Sequence, residues 1–306
     1  MRFVEDGIRV SVPATSANLG PGFDALGLAL SLRDHLQARV TGSGLVIDIA
    51  GSGADAVPRD ESHLVVRAMR AAFDKLGAQP SGLHLQCDNL IPHGRGLGSS
   101  SAAIVAGVSL ARALVEGGAD LLDDDALFQL AAEIEGHPDN VAPAFFGGFV
   151  ISGREGDAFF AARSRVDPRI SAVVFVPPTP VETTVARGLL PAQVSHADAA
   201  ANSGRAALLV AALAGQPDLL WAATRDFLHQ DYREPAMPES LSLVRALRAD
   251  QVPAIVSGAG PTVLAFVDRG TSATAALERV TSLVARCPDG WQARPLAVES
   301  AGVIVG

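Results

Sequence analysis

Ile91-Pro-His-Gly-Arg-Gly-Leu-Gly-Ser-Ser-Ser-Ala-Ala103 sets Gly94, Gly96 and Gly98 between a strand exit and a run of serines that opens an apolar helix. A turn of this composition lets backbone N–H groups come close to an anion. The helix that follows adds unpaired N-terminal amides and the positive end of its dipole. The segment therefore reads as a phosphate cradle, and its serine hydroxyls are in reach of a metal ion. No lysine follows the glycines, so it is not a Walker A loop, and G-x-G-x-G differs from the dinucleotide pattern G-x-G-x-x-G. Taken alone, such a cluster is more often only a tight strand-to-helix connection.

Outward from it, Leu83–Cys87 is the strand that feeds the turn, and Ser99–Val115 is a helix apolar on nearly every face, hence buried, ending at Gly117-Gly118. Ile8, Val10 and Val12 alternate with Arg9 and Ser11, the period of a half-buried strand, which Pro13 is expected to end. Helical spacing over Ala126–Glu135 stops at Gly136 and Pro138, and Gly147-Gly148 leads into the strand Phe149–Ile151. Periodicity fades around Arg163–Arg169, which places a boundary between domains 1–166 and 167–306. Beyond it, strands Ser171–Val176, Ala254–Ser257 and Val263–Val267 interleave with helices Ala200–Leu213, Leu241–Arg248 and Thr271–Ala285. Interleaving in both halves favours an α+β or α/β sandwich.

A chain of 306 residues with 48% hydrophobic and 19% charged side chains can bury cores for two domains without disulfide or structural metal. Cys87 and Cys287 are too few and too far apart for a disulfide scaffold or a Cys-based zinc site, which suits a reducing compartment. With 33 acidic and 24 basic residues, and no basic patch, nucleic acid is not an expected partner. The longest apolar stretch, Ala206–Ala214, is far short of the ~20 residues of a membrane span. Glu5 and Asp6 stand where a signal peptide would be apolar, so a cytoplasmic location is expected.

Two further segments raise the weight of the first. Pro13-Ala-Thr-Ser-Ala-Asn-Leu-Gly-Pro-Gly-Phe-Asp-Ala-Leu-Gly27 packs Thr15, Ser16, Asn18 and Asp24 among turn formers after a strand, and Ser257-Gly-Ala-Gly-Pro-Thr262 interrupts a strand pair. Three such loops in this order resemble the superfamily of galactokinase, homoserine kinase, mevalonate kinase and phosphomevalonate kinase. GRGLGSSSAA matches its P-x3-G-L-G-S-S-A-A motif almost position by position. Within the superfamily the chain is most similar to homoserine kinases from Val10 to about Phe266, through Ala14–Leu30, Glu135–Phe149, Ala186–His196 and Leu228–Pro235. The resemblance implies an α+β fold with an N-terminal domain like the second domain of ribosomal protein S5 and a ferredoxin-like C-terminal domain. It also implies ATP and Mg²⁺ as cofactors, with L-homoserine phosphorylated to O-phospho-L-homoserine in threonine biosynthesis, and a homodimer, as is common among relatives.

The same resemblance carries site residues. Pro92, His93, Gly94, Arg95, Gly96, Leu97, Gly98, Ser99, Ser100, Ser101 and Ala102 would surround the ATP phosphates, with the glycines leaving room for them. Homoserine is a zwitterion, so its site needs an anion for the ammonium and cations for the carboxylate. Asn18 and Asp24 would face the amino acid, and Arg187 and Arg233 would hold the carboxylate or steer the hydroxyl, a task for which the guanidinium fork is suited. Asn18 and Asp24 could equally stabilise turns around Gly20-Pro21-Gly22, and the two arginines could be surface cations. His137 and Asn140 resemble substrate-contacting positions. Counting back from Gly147-Gly148, Asn140 rather than Asp139 occupies the place of the catalytic aspartate of mevalonate kinases, so no strong base is expected. A loose phosphoryl-transfer transition state tolerates this. Asp139 either caps the next helix or joins the site. For the metal, Ser99 or Ser100 and one of Glu133 and Glu135 are candidates, with Ser100 and Glu133 preferred. Two residues apart on a helix, the glutamates face different ways. His35, His63, His84, His93, His196 and His229 are read by default as structural or surface residues, His229 least firmly because it lies within HQDYR.

Two other functions are weighed: a superfamily kinase for another small molecule such as mevalonate, and a non-catalytic metabolite sensor. The first has no need of a partner for an ammonium, and the second should carry damaged phosphate or metal motifs.

Overall fold

The alternation at Ile8–Val12 forms a strand, but Pro13 does not end it. In the computed structural model, which describes residues 1–270 and 272–306, the strand runs to Ala17. The ladder shifts register between Pro13 and Ala14, and this bulge accommodates the proline, which has no N–H to give. The consequence is functional, because the extra residues carry Thr15 and Ser16 into the interior of the molecule.

In chain order the first half contains β1 (Ile8–Ala17), β2 (Leu26–Thr41), β3 (Gly44–Gly51), α1 (Leu64–Leu76), β4 (Gly82–Asn89), α2 (Ser99–Leu114), α3 (Gly118–Leu121), α4 (Asp124–Glu135), α5 (Pro138–Phe146), β5 (Phe149–Glu155) and β6 (Ala158–Ser164). The second half contains β7 (Ile170–Val176), α6 (Thr183–Gly188), α7 (His196–Gly215), α8 (Leu220–Ala223), α9 (Pro238–Ala249), β8 (Ala254–Val256), β9 (Val263–Asp268), α10 (Ala273–Val284), β10 (Gln292–Ala297) and β11 (Ile304–Val305). Pro138 ends α4 but also begins α5, since a proline at the first helical position gives up only an N–H that would be unpaired anyway. Of the helix expected over Thr271–Ala285, Thr271 lies outside the described residues, and Ser272 caps α10 by accepting from the N–H of Ala275.

The first sheet runs β11-β1-β2-β4-β3, with β5 joined to β2 and β6 to β5. Val66, Met69 and Phe73 of α1 share one face and are buried against this sheet's core, together with most of α2. The second sheet runs β10-β7-β9-β8, all antiparallel. Counted by sequence this is order 4-1-3-2 of a β-α-β-β-α-β unit, the ferredoxin-like arrangement. Its own core lies under α9 and α10, around Leu241, Leu247 and Leu283. The chain passes from one sheet to the other between β6 and β7, where residues 166 and 167 lie. Its C-terminal end then crosses back, pairing Ile304 and Val305 with β1. No helix among the described residues is long and apolar enough to cross a membrane.

Candidate active site

A cleft of about 630 Å³ opens between the sheets, walled by the turn after β1, the glycine loop before α2, the start of α5, α6 and the β8–β9 connection. Gly94, Gly96 and Gly98 all have positive φ, 63°, 72° and 71°. Gly98 is the N-cap of α2, and its carbonyl accepts the first helical bond, from Ala102 N, at 2.9 Å. No side chain caps this end, so the N–H groups of Ser99, Ser100 and Ser101 are left for an anion. Two of the glycines are also required by packing. A Cβ on Gly98 would lie 1.9 Å from Thr15 Oγ1, and one on Gly96 would lie 2.2 Å from the carbonyl oxygen of Ser257. The missing side chains make room for Thr15 of β1 and for the third loop.

Not every residue of the segment faces the cleft. Arg95 donates from Nε to Pro177 O at 3.0 Å, from Nη1 to His93 O at 2.9 Å and from Nη2 to Pro178 O. Three of its five N–H donors therefore tie the loop to itself and to the chain after β7, while the residue still lines the cleft. Ala102 is buried in the helix, and Pro92 lies off the cleft wall. Ser101 is buried too, with its hydroxyl donated to Glu135 Oε1 at 2.7 Å. Ser100 donates to the same oxygen at 2.8 Å. Glu133 is exposed and off the cleft wall, so the preference between the two glutamates is reversed. A helical step of two turns the side chains about 200° apart, and α4 presents Glu135 to α2. One carboxylate and two hydroxyls form an oxygen-only donor set suited to a hard cation that keeps waters and phosphate oxygens as its other ligands. Among the described residues no cluster of three or more His, Cys, Asp or Glu could hold a metal unaided.

At the other end of the cleft Arg187 lines the wall, and Asp24, which is off the wall itself, meets it as a fork, 2.7 Å from Oδ1 to Nη2 and 3.0 Å from Oδ2 to Nη1. That hydrogen-bonded carboxylate holds the Arg187 pKa above its ordinary value. Asn18 and Asp24 both adopt left-handed backbone, φ 65° and 54°, a region that asparagine and aspartate tolerate better than most. Asn18 Oδ1 accepts from Asp24 N at 2.9 Å, and its Nδ2 donates to Gly258 O at 2.8 Å. Its amide therefore builds the turn and binds the first loop to the third, while the residue still lines the cleft. Arg233 is no surface cation: it is 1% exposed, donating to Ala186 O at 3.3 Å and Gly258 O at 3.2 Å. Burial, and then the charge of Arg187, push its pKa down to about 10, so it keeps its charge at neutral pH. The Phe23 ring lies between the arginines, 5.7 Å from Arg187 Cζ and 5.6 Å from Arg233 Cζ.

The GHMP kinases N-terminal domain matches residues 63–148, and the GHMP kinases C-terminal domain matches residues 207–286. The chain is 58% identical to a homoserine kinase of Streptomyces avermitilis over 298 residues, covering 97% of this chain and 95% of that one. It belongs to the homoserine kinases of the GHMP family. The crystal structure of homoserine kinase from Cytophaga hutchinsonii superimposes on it with a TM-score of 0.86 at 28% identity, covering 100% of this chain and 99% of the other. The L. major mevalonate kinase structure shares the fold, with a TM-score of 0.66 at 16% identity over 95% of this chain and 96% of that one. The homoserine kinase family, its α+β two-domain fold and its class as a phosphotransferase thus agree with the sequence reading.

In this homoserine kinase family member, His137, Asp139 and Asn140 line the cleft together. Asp139 is not a cap, since no side chain caps α5. It is buried, with Oδ1 3.0 Å from His137 Nδ1. This hydrogen bond is the main cause raising the His137 pKa, against the opposing effect of burial. Asn140 Oδ1 accepts from Thr15 Oγ1 at 2.8 Å, a contact 125 positions apart in sequence. Thr15, inside β1, thus bonds directly to a cleft residue, a part that the sequence reading did not give it although it named Thr15 in the first motif. Asp34, His63 and Leu64, which line the far end of the cleft beyond His93, carried no signal, for they fall in no motif. Asp34 Oδ1 accepts from the N–H groups of Leu90 and Ile91 at 2.7 and 2.8 Å, and burial raises its pKa to about 6.

Proposed function

We propose that the chain transfers the γ-phosphoryl group of ATP to the side-chain hydroxyl of L-homoserine, giving O-phospho-L-homoserine, the step that serves threonine biosynthesis. The observation that carries this reading is the pair of arginines, Arg187 and Arg233, on the cleft that also holds the open N-terminus of α2, with Asp24 bonded to Arg187. Asp24 and Arg187 pair with each other, and a zwitterion carries the two charges needed to replace each of them for the other. On binding, the substrate ammonium takes the carboxylate and the substrate carboxylate takes the freed guanidinium fork, so each charge exchanges one partner for another.

ATP phosphates lie along Gly94–Ser100, with the helix amides as donors. Glu135 and Ser100 would hold Mg²⁺, which when bound would neutralise charge on the β- and γ-phosphates. Asn140, fixed by Thr15, orients the acceptor hydroxyl. No strong base is required, because in a loose transition state little bond to the nucleophile has formed when the proton begins to leave. His137 and Asp139 complete the wall beside it. A homodimer and a reducing cytoplasm belong to the same reading, the second in keeping with two free cysteines. A panel assay of ATP consumption with homoserine, mevalonate, galactose and shikimate tests it: turnover is expected with homoserine, and turnover with another acceptor alone refutes it.

A further inference from the structure

Arg233 poses a physical problem that its neighbours solve in a specific way. A guanidinium buried to 1% exposure normally needs a carboxylate, yet among the described residues none stands within ion-pair distance of it. Its protein acceptors are the carbonyls of Ala186 and Gly258 and the imidazole of His229, with Nη1 3.1 Å from His229 Nδ1. None of these bonds uses Nη2, and Arg233 lines the cleft. His229, itself 0% exposed, has its other nitrogen, Nε2, 2.7 Å from Gly20 O.

These distances fix the proton. A carbonyl oxygen can only accept, so Nε2 carries the hydrogen and donates it to Gly20. Nδ1 is then a bare lone pair and accepts from Arg233. The opposite tautomer would set N–H against N–H at one end and lone pair against carbonyl at the other. Packing holds the ring in place. Phe23 lies on the imidazole at 5.3 Å between centroids and 31° between planes, and Asp226 fixes the backbone by accepting from the N–H groups of Leu228, His229 and Gln230. Asp226 Oδ1 is 3.7 Å from Nε2, but burial outweighs its attraction and holds the imidazole pKa below its ordinary value.

We infer that His229, as the neutral Nε2–H tautomer, is a positioning residue for substrate: it orients Arg233 through Nη1 and leaves Nη2 for the carboxylate of homoserine, without cancelling the guanidinium charge. A carboxylate in its place would orient Arg233 equally well but would compete with the substrate for the same charge. A neutral acceptor does one task without the other. This rests on the reading of the cleft as a homoserine site.

Asparagine and glutamine separate the two ends of the ring. Asn can place its Oδ1 where Nδ1 stands and keep the acceptor for Arg233, whereas Gln can place its Nε2 where the ring Nε2 stands and keep only the donor to Gly20. Steady-state kinetics with homoserine and ATP varied in turn are expected to show His229→Gln raising the homoserine KM about 10-fold or more, the loss of one hydrogen bond to a charged group. The ATP KM should be unchanged, and His229→Asn should stay within about threefold of the parent. A merely structural role would make the two variants alike, and that result overturns the inference. Arg233→Lys is the control for the underlying reading. If it raises the homoserine KM while both His229 variants do not, only the positioning role fails. If it leaves that KM unchanged, the site assignment fails with it. ¹⁵N chemical shifts of the His229 ring in the unmodified protein give a second measurement that needs no variant: a protonated Nδ1 at neutral pH overturns the inference, and a bare Nδ1 beside a protonated Nε2 supports it.

Discussion

Replacing Asp24 by asparagine separates the function of its charge from its role in the turn. The backbone N–H of Asp24 bonds to Asn18, and an asparagine tolerates the same left-handed backbone, so the loop should keep its shape. What is lost is the charge facing Arg187. In the free enzyme that pair is 35% and 37% exposed at its two side chains, and a pair so exposed contributes under about 1 kcal/mol to folding. In the complex the accounting changes, because the substrate excludes water from both charges. Removing one partner of a desolvated charge pair costs roughly 2–5 kcal/mol, and the partial exposure of this pair argues for the lower part of that range. About 2–3 kcal/mol corresponds to a loss of roughly 30- to 150-fold in kcat/KM for homoserine. Steady-state kinetics at saturating ATP, run beside a thermal melt, measure both quantities. The expected result is a large kinetic loss, a melting temperature within a few degrees of the parent and an unchanged ATP KM. A kcat/KM for homoserine within about twofold of the parent would refute the charge exchange. So would an equal loss in the ATP term, which would mean that the loop itself had moved.

Other outcomes follow from single contacts. Glu135→Gln should lower turnover most strongly at limiting Mg²⁺, and Glu133→Gln should not, as a metal titration of the initial rate would reveal. Gly98→Val should lower the melting temperature as well as nucleotide affinity, because its side chain meets Thr15 and its φ is 71°, a combined strain of about 1–3 kcal/mol. A Gly98→Val protein as stable as the parent would contradict the packing described. For Asp34 the folded pKa, about 6, is above the ordinary 3.8, so the native state binds the proton more tightly and stability from this group falls as pH rises between those values. Asp34→Asn, which keeps an oxygen acceptor for Leu90 and Ile91, should therefore gain melting temperature relative to the parent as pH goes from 4 to 7, by at most about 3 kcal/mol of stability. A difference that stays flat over that range would place the carboxylate in a more solvated setting.

The parts of the site that sequence made legible are those whose chemistry is local. A helix N-terminus preceded by glycines announces an anion site through backbone geometry alone, and the structure opens the cleft at Gly94–Ser100 as that pattern requires. What the pattern did not convey is which neighbours crowd the glycines, since Thr15 and Ser257 come from strands far away in sequence. The same limit explains Arg95, whose three carbonyl partners include two from the chain after β7. Helical phase was enough to say that only one of Glu133 and Glu135 faces the serines of α2, but choosing between them needed the position of α2. In the fold, strands with clear alternation such as Leu83–Cys87 were readable. The extension of β1 past Pro13 was not, because it depends on the partner β2 stepping from Arg33 to Leu30 while β1 steps only from Pro13 to Ala14. The far end of the cleft around Asp34 and His63 is assembled from unremarkable strand and loop residues, so no spacing in the sequence marks it.

The third loop explains why the two ends of the cleft are built from one another. Gly258 O accepts from Asn18 Nδ2 and from Arg233 Nη1, both at the amino-acid end. The adjacent Ser257 has its Oγ 2.6 Å from Gly96 O and 2.8 Å from Ser16 Oγ, at the phosphate end. A displacement of these two residues therefore moves the guanidinium that would hold the carboxylate and the turn that would hold the phosphates together. Such a displacement is resisted on each side by buried groups with no water to replace their partners, so leaving one unpaired costs about 1–3 kcal/mol. In-line transfer requires the acceptor hydroxyl and the γ-phosphorus to be held at a fixed separation while their own loops leave different strands, β1 and β4, of the first sheet. A short rigid link of backbone, bonded to both loops, supplies that fixed separation. It also joins the three glycine-rich segments: the first would shape the acceptor site and the second the donor site, and the third, arriving on the second sheet, is bonded to both.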